Sequence, residues 1–380
     1  MLEENNSDDA IHLSKFGTRQ PSLIGVMSAP PTQNRLYMIN RAGSGEALYL
    51  ELTDDKSAIL SYQVKIEEWS RIKDIVNFGV AVVDNTLYII GGYDRSRAKC
   101  LNRVVRYDPT EVLWTEVAPM LKSRSKFCCC PFNGKIYVCG GEQSGGKLTA
   151  SCEVYDPEVN EWSKAPRLLS PRANHACVPI NNEIYCAGGY YGNQSHSNLW
   201  VFDGRYWQEL DKDCPHSLPY PVDRFAMAQA NGVFYFVGGV SSLVEQETKD
   251  EYSRIKFTTE RRVSSYNANI STNISTNQCD NDIIMHDLLS PWNLNVHPMD
   301  TARHSAGIAV LGKRIYVFGG SNLESNIQVR TAEFFNIEKR KWELDFRFRK
   351  GDVSNLTCAT LEVPVKMEVK ASYRLKWVMW

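Results

Sequence analysis

The sequence lacks any surplus of positive charge: 43 Lys and Arg face 44 Asp and Glu, a formal net charge of −1 over 380 residues. Nucleic-acid grips and polybasic membrane patches both work through a cationic excess, so the balance argues against either as a partner. No apolar run approaches the roughly 20 residues of a membrane-spanning helix. The acidic, polar stretch Met1 to Ala10 is unlike a secretory signal. Catalytic signatures are missing as well: there is no G-x-S-x-G elbow, no phosphate loop and no H-E-x-x-H. The 7 histidines, among them His175 and His304, show no pairing at metal-ligand spacing. The 11 cysteines form no C-x-x-C pair, and the consecutive Cys128, Cys129 and Cys130 would alternate between the faces of a strand. They read as reduced, mostly buried thiols of a cytoplasmic chain, the nucleus included, and not as a disulfide or zinc framework. The expectation is a protein with no metal and no cofactor that is not an enzyme.

What is present is glycine and aromatics in register. Gly-Gly pairs stand at Gly91 and Gly92, Gly140 and Gly141, Gly188 and Gly189, Gly238 and Gly239, and Gly319 and Gly320, at steps of 49, 48, 50 and 81. Each pair ends a short apolar run with a tyrosine three places before its first glycine: Tyr88, Tyr137, Tyr185, Tyr235 and Tyr316. A tryptophan column follows. Trp114, Trp162 and Trp342 each lie seven residues after Tyr107, Tyr155 and Phe335, and Trp207 lies five after Phe202. An earlier copy runs from Leu36 through Tyr62 to Trp69, with Asn40-Arg41 where Gly-Gly would stand. The copy that begins at Gly238 is stretched and reaches its tryptophan only at Trp292. Six copies of about 48 residues plus inserted chain account for about 320 residues.

Each copy reads as four short strands, for example Phe78 to Val83, Leu87 to Ile90, Val104 to Tyr107 and Leu113 to Val117. A four-stranded twisted sheet cannot bury both faces alone, so the expected fold is all-β: a six-bladed propeller with four antiparallel strands per blade. The tryptophans would wedge between neighbouring sheets. The expected boundaries are a polar segment 1–22, a propeller 23–363 and a tail 364–380, with insertions about 244–262 and 267–285 in the fifth blade. Both insertions have the charged or Asn/Ser/Thr-rich composition of solvated loops. Two segments compete to close the ring, Leu23 to Ala29 and Asn355 to Val363.

Gly-Gly after an Ile-Tyr-Val run, then Tyr-Asp-Pro and a spaced tryptophan, resembles the kelch repeat. The stretches Pro298 to Gly307 and Pro171 to Ala176, each leading to a Gly-Gly pair, carry that likeness most closely. The six-copy pattern looks most like the C-terminal part of BTB-kelch proteins. The resemblance implies a protein-binding propeller that serves as substrate receptor of a cullin-RING ubiquitin ligase, which an upstream BTB–BACK region would contact. Only about 22 residues precede the first unit here, too few for such a region: either the chain is a fragment or short isoform, or it binds partners without recruiting a ligase, and a scaffold binding an actin-type or other folded partner is the alternative reading.

Two loop classes are the candidate recognition surface. One follows Gly-Gly and contributes Tyr93, Arg95, Tyr190, Tyr191, Asn193, Ser321 and Asn322. The other precedes the first strand and contributes Asn77, Arg124, Lys126, Arg172, Asn174, Arg224 and Arg303. If both share a face, as the resemblance implies, the ring is basic and aromatic and suits an acidic peptide. A recurring arginine also fits a bracing role between blades, and for Arg124, Arg172 and Arg303 both readings stand.

Overall fold

A computed structural model describes residues 32–40, 47–51, 62–64, 74–192, 194–210, 218, 220–231, 233–246, 253–259, 263–267, 292–293, 298–348 and 352–364. Trp69, Asn193 and both chain ends (1–31 and 365–380) lie outside them, as does nearly all of the expected insertion 267–285. The contacts divide the chain into a unit Thr32–Pro364 and a second unit formed by the two ends. The described residues contain no helix, and so none that is long and apolar enough to cross a membrane.

Thr32–Pro364 contains six four-stranded antiparallel sheets. Sheet 2 runs Gly79–Val83, Thr86–Ile90, Val104–Asp108, Leu113–Val117 from its inner strand outward. Sheet 3 repeats this with Cys128–Phe132, Lys135–Cys139, Cys152–Asp156 and Glu161–Ala165. The inner strands of sheets 4, 5 and 6 are Ala176–Ile180, Ala226–Ala230 and Gly307–Leu311. Each inner strand touches the next, and Leu356–Pro364 touches both Gly307–Leu311 and Gly79–Val83, so the inner strands form a closed ring.

The local sequence explains the strands. Inner strands alternate buried and half-buried residues, as in Gly79–Val83 and Cys128–Phe132, because one set of side chains packs between sheets and the other lines the axis. Second strands are covered on both faces by neighbouring sheets, so they read as unbroken apolar runs such as Leu87-Tyr88-Ile89-Ile90. The hairpins between them turn on residue pairs with φ > 0, Asp84-Asn85, Asn133-Gly134 and Asn181-Asn182, whose backbone twist matches that of the flanking strands.

The core is distributed between sheets. One apolar cluster joins Tyr88 and Ile90 of sheet 2 to Ile136, Val138 and Trp162 of sheet 3. Equivalent clusters fill every other gap, including the one between sheet 6 and Leu36 and Met38 of sheet 1, whose strands from the inner one outward are Leu356–Pro364, Thr32–Asn40, Ala47–Glu51 and Tyr62–Val64. The tryptophans act as wedges. Trp162 stacks on Tyr155 at 5.1 Å and its indole N–H donates to the Ala118 carbonyl on the neighbouring sheet's exit loop (2.8 Å). Trp207 does the same with Phe202 and the Pro166 carbonyl.

Closure falls to the C-terminal candidate. Leu356–Pro364 pairs antiparallel with Thr32–Asn40 along its whole length and takes the inner position of sheet 1. Leu23 to Ala29 lies outside the described residues. The insertion at 244–262 also differs from the expected loop: Val240–Gln246 pairs with Ser253–Thr259 in a hairpin of seven register pairs, and in the second strand Ile255 and Phe257 alternate with polar residues at strand period.

Candidate partner-binding face

The two loop classes are zipped together on one side of the ring. Ser125 and Glu142 exchange backbone hydrogen bonds (2.9 and 2.8 Å), as do Ala173 with Tyr190 and His304 with Ser321. Asp223 pairs with Val240 in the same way. The second glycine of each Gly-Gly pair supplies a further tie: the amide of Gly141 donates to the Arg172 carbonyl and that of Gly239 to the Arg303 carbonyl. The first glycine of the pair is equally constrained, as Gly238 shows. Its φ is +66°, and a Cβ would stand 2.2 Å from the Arg303 carbonyl oxygen.

At the mouth of the axial channel one residue from each sheet adopts a left-handed backbone: Asn77, Lys126, Asn174, Arg224, Ser305 and Asn355, with φ between 53° and 55°. The Lys126 amide donates to the Asn77 carbonyl, Asn174 to Lys126, Arg224 to Asn174 and Ser305 to Arg224, at 2.8–3.1 Å. The Asn355 side-chain amide donates to Asn77 Oδ1 at 3.1 Å and extends this chain of contacts to the sixth residue. Asparagine tolerates this conformation, but Lys, Arg and Ser hold it at a cost of order 1 kcal/mol or more each. A cavity of about 460 Å³ opens over this circle and reaches Arg95, Phe127, His175 and His304.

Electrostatics at the mouth are built from paired cations. Lys126 Nζ lies 2.7 Å from Glu142 Oε2, which also accepts from the Tyr190 hydroxyl at 3.1 Å. Burial opposes the Lys126 charge, but the Glu142 hydrogen bond and the neighbouring Tyr190 outweigh it and raise its pKa. Arg224 Nε donates to Asp223 at 2.6 Å, and Ser195 donates to the other Asp223 oxygen. Arg95 and Tyr191 are exposed, while Tyr93, Ser321 and Asn322 are half-buried.

Burial first, and Arg224 second, hold the His304 pKa near 4, against an ordinary value of 6.5. Burial and then Arg172 hold His175 near 3. Below 6.5 the unfolded chain binds protons that the folded chain refuses, so this stability is full above 6.5 and is lost as the pH falls toward 4. Urea midpoints should be flat from pH 8 to 7 and fall below pH 6.5. His304→Asn should make that fall shallower; an unchanged slope would remove His304 from the account.

Three expected surface residues are not on the surface. Arg124, Arg172 and Arg303 are 0–1% exposed, so they cannot meet a partner at the ring face, and the bracing reading is the correct one. Arg124 Nη1 donates to the Gly140 and Ser151 carbonyls (2.8 and 2.7 Å), and Nη2 pairs with buried Glu153 at 2.5 Å. Glu153 also accepts the Leu121 and Lys122 amides of the loop entering sheet 3. Arg303 repeats the arrangement with the Gly319 and Thr331 carbonyls and Glu333. Its recurrence in the repeat could not separate a strut from a contact, since both recur. The mouth residues Ser305 and Asn355 were not foreseen as site residues; the signal was their spacing from Asn77 and Asn174 in the repeat.

The thiols also depart from expectation. Cys128 and Cys177 form a disulfide, with Cα atoms 5.8 Å apart, that links the inner strands of sheets 3 and 4. Their sequence separation of 49 is one repeat length, which puts them side by side across a sheet boundary. Cys100, Cys130, Cys139, Cys152 and Cys186 are buried thiols.

Antiparallel four-stranded sheets wedged by tryptophan, with two loop classes joined at the mouth of a channel, define a β-propeller of repeated sequence units. Comparison with known proteins gives the family. A KLHDC2/KLHL20/DRC7 Kelch-repeats domain matches residues 77–261 and a Kelch motif matches 302–344. The chain is therefore a kelch-repeat domain, and it resembles the C-terminal regions of BTB-kelch proteins. Among its relatives, Kelch-like protein 26 of Danio rerio is 27% identical over 293 residues, 75% of this chain and 42% of the relative. Kelch-like protein 40 of Mus musculus is 36% identical over 164 residues, 40% of this chain and 26% of the relative. The chain thus spans less than half the length of these relatives. The solved structure of YjhT superposes with a TM-score of 0.64 over 84% of this chain and 98% of its own at 13% identity, a likeness of fold.

Proposed function

We propose that the chain is a non-catalytic protein-binding module whose channel mouth takes an acidic peptide segment. In this reading it is the substrate-recognition part of a BTB-kelch adaptor for a cullin-RING ubiquitin ligase, acting in the cytoplasm or nucleus. One observation carries the reading: a circle of six left-handed residues, three of them strained, holds Lys126 and Arg224, with Arg95 beside them, around an open cavity. A left-handed backbone kept at equivalent positions of every sheet, even where Lys126, Arg224 and Ser305 hold it under strain, points to a surface shaped for contact. Arginine and lysine there offer carboxylates directed, charge-assisted bonds, and the asparagine amides add neutral donors.

Burial of Arg124, Arg172 and Arg303 removes them from any binding test, because reversing them would attack the fold. Arg95→Glu with Arg224→Glu is the informative pair, as both side chains reach solvent. Selection from a random peptide library on the wild-type chain should enrich Asp- and Glu-containing segments, and the double variant should bind them at least about tenfold more weakly. Enrichment of neutral or basic segments would overturn the reading. Unchanged binding by a folded double variant would move recognition to the sides of the sheets, as a scaffold for a folded partner requires.

A further inference from the structure

Below the mouth, sheets 3 and 4 bring together a second group of side chains that peptide binding does not use. Cys128 opens the inner strand of sheet 3. His175 and Cys177 stand at the start of the inner strand of sheet 4, and Cys186 lies on its second strand. Their ligand atoms all lie within 4.8 Å of one another. We propose that Cys128, His175, Cys177 and Cys186 form a four-ligand site for one zinc ion, filled when the Cys128–Cys177 disulfide is reduced.

Three observations support the site. The first is the donor set. Three thiolates and one imidazole are the ligands of closed structural zinc sites, and a tetrahedral ion with bonds of about 2.3 Å would hold its sulfurs about 3.8 Å apart. To meet that distance the widest separation in the group must contract by about 1 Å, while the Cys128 and Cys177 sulfurs, bonded to each other in the oxidised chain, must move apart once reduced. The second is His175. It is 6% exposed, and both ring nitrogens are buried without a well-formed hydrogen bond; a Cys139 backbone group nearby only partly offsets the burial. A buried imidazole in that condition is costly, and a metal bond would satisfy one nitrogen.

The third is the charge of Arg172. Arg124 and Arg303 each face a buried glutamate, Glu153 and Glu333. Trp200 takes the corresponding place opposite Arg172, whose guanidinium lies 3.3 Å from the indole centroid. Zinc bound to three thiolates and a neutral imidazole carries a net charge of −1. Cys186 and His175 both feel the Arg172 charge, so the complex would form beside a cation that has no buried glutamate in the place of Glu153 and Glu333, Glu209 being the carboxylate that acts on it.

The chemistry balances. A dithiol reductant supplies two electrons and two protons; the Cys128–Cys177 S–S bond breaks, two thiols form and the dithiol closes into its own disulfide. Zn²⁺ then replaces the three thiol protons, which pass to solvent, and accepts the lone pair of neutral His175. Scattered ligand positions hid this site from a spacing search, because the four residues come from two sheets.

Cobalt titration of the full chain tests it. After anaerobic reduction and removal of the dithiol, one equivalent of Co²⁺ should give thiolate charge-transfer absorption and the visible bands of tetrahedral cobalt, and Zn²⁺ should erase both. Cys186→Ser and His175→Gln should each weaken Co²⁺ binding at least about tenfold, while Cys358→Ser, a channel cysteine outside the group, should not. The oxidised chain should bind no equivalent. Absence of these bands in reduced wild type overturns the proposal even where a variant fails to fold, as does a spectrum that survives unaltered in both folded variants.

Discussion

Replacing Glu153 with alanine will lower the unfolding free energy by about 3–5 kcal/mol, the usual cost of stranding one member of a buried ion pair. The pair is 0% and 3% exposed at its two side chains, so water cannot solvate Arg124 once its carboxylate is gone. The loss spreads further, because Glu153 also accepts the Leu121 and Lys122 amides. Arg124→Met combined with Glu153→Leu should recover only part of the loss. It removes both charges but leaves the Gly140 and Ser151 carbonyls without the donors Arg124 supplies. Urea denaturation of the three variants checks this; a Glu153→Ala effect below about 1 kcal/mol would mean that the pair is not a strut.

A larger effect is expected from ending the chain after Asp352. Removing Leu356–Pro364 strips Thr32–Asn40 of its inner partner and takes Leu361 and Val363 from the cluster between sheets 1 and 2. Gly307–Leu311 and Gly79–Val83 lose the neighbour that joins them. The exposed row of backbone donors and acceptors is a template for association. The truncated chain should lose its cooperative unfolding transition and aggregate, as monitored by circular dichroism and light scattering. A cooperative transition at the full-length midpoint would show that the ring does not depend on this strand.

Much of the fold was legible because the repeat writes one local problem several times. Gly-Gly marks a turn that no side chain fits, the second strand must be apolar throughout because sheets cover both faces, and the tryptophan must stack on the aromatic residue before it. These are short-range constraints, so they survive in the spacing of residues. The site was legible only in part. Arg95, Lys126 and Arg224 could be placed on the right loops, yet Arg124 and Arg303 look the same in sequence and point inward, because Glu153 and Glu333 wait 29 and 30 residues further on.

The amino-acid order alone determined an all-β chain of repeated four-stranded units with loops gathered into classes, since turn chemistry and strand periodicity act between near neighbours. Tertiary structure decided which end closes the ring, which arginines brace and which reach solvent, and that Cys128 meets Cys177. Those outcomes depend on contacts between sheets, where the partner of a residue lies a whole repeat, or the whole chain, away and leaves no local pattern to read.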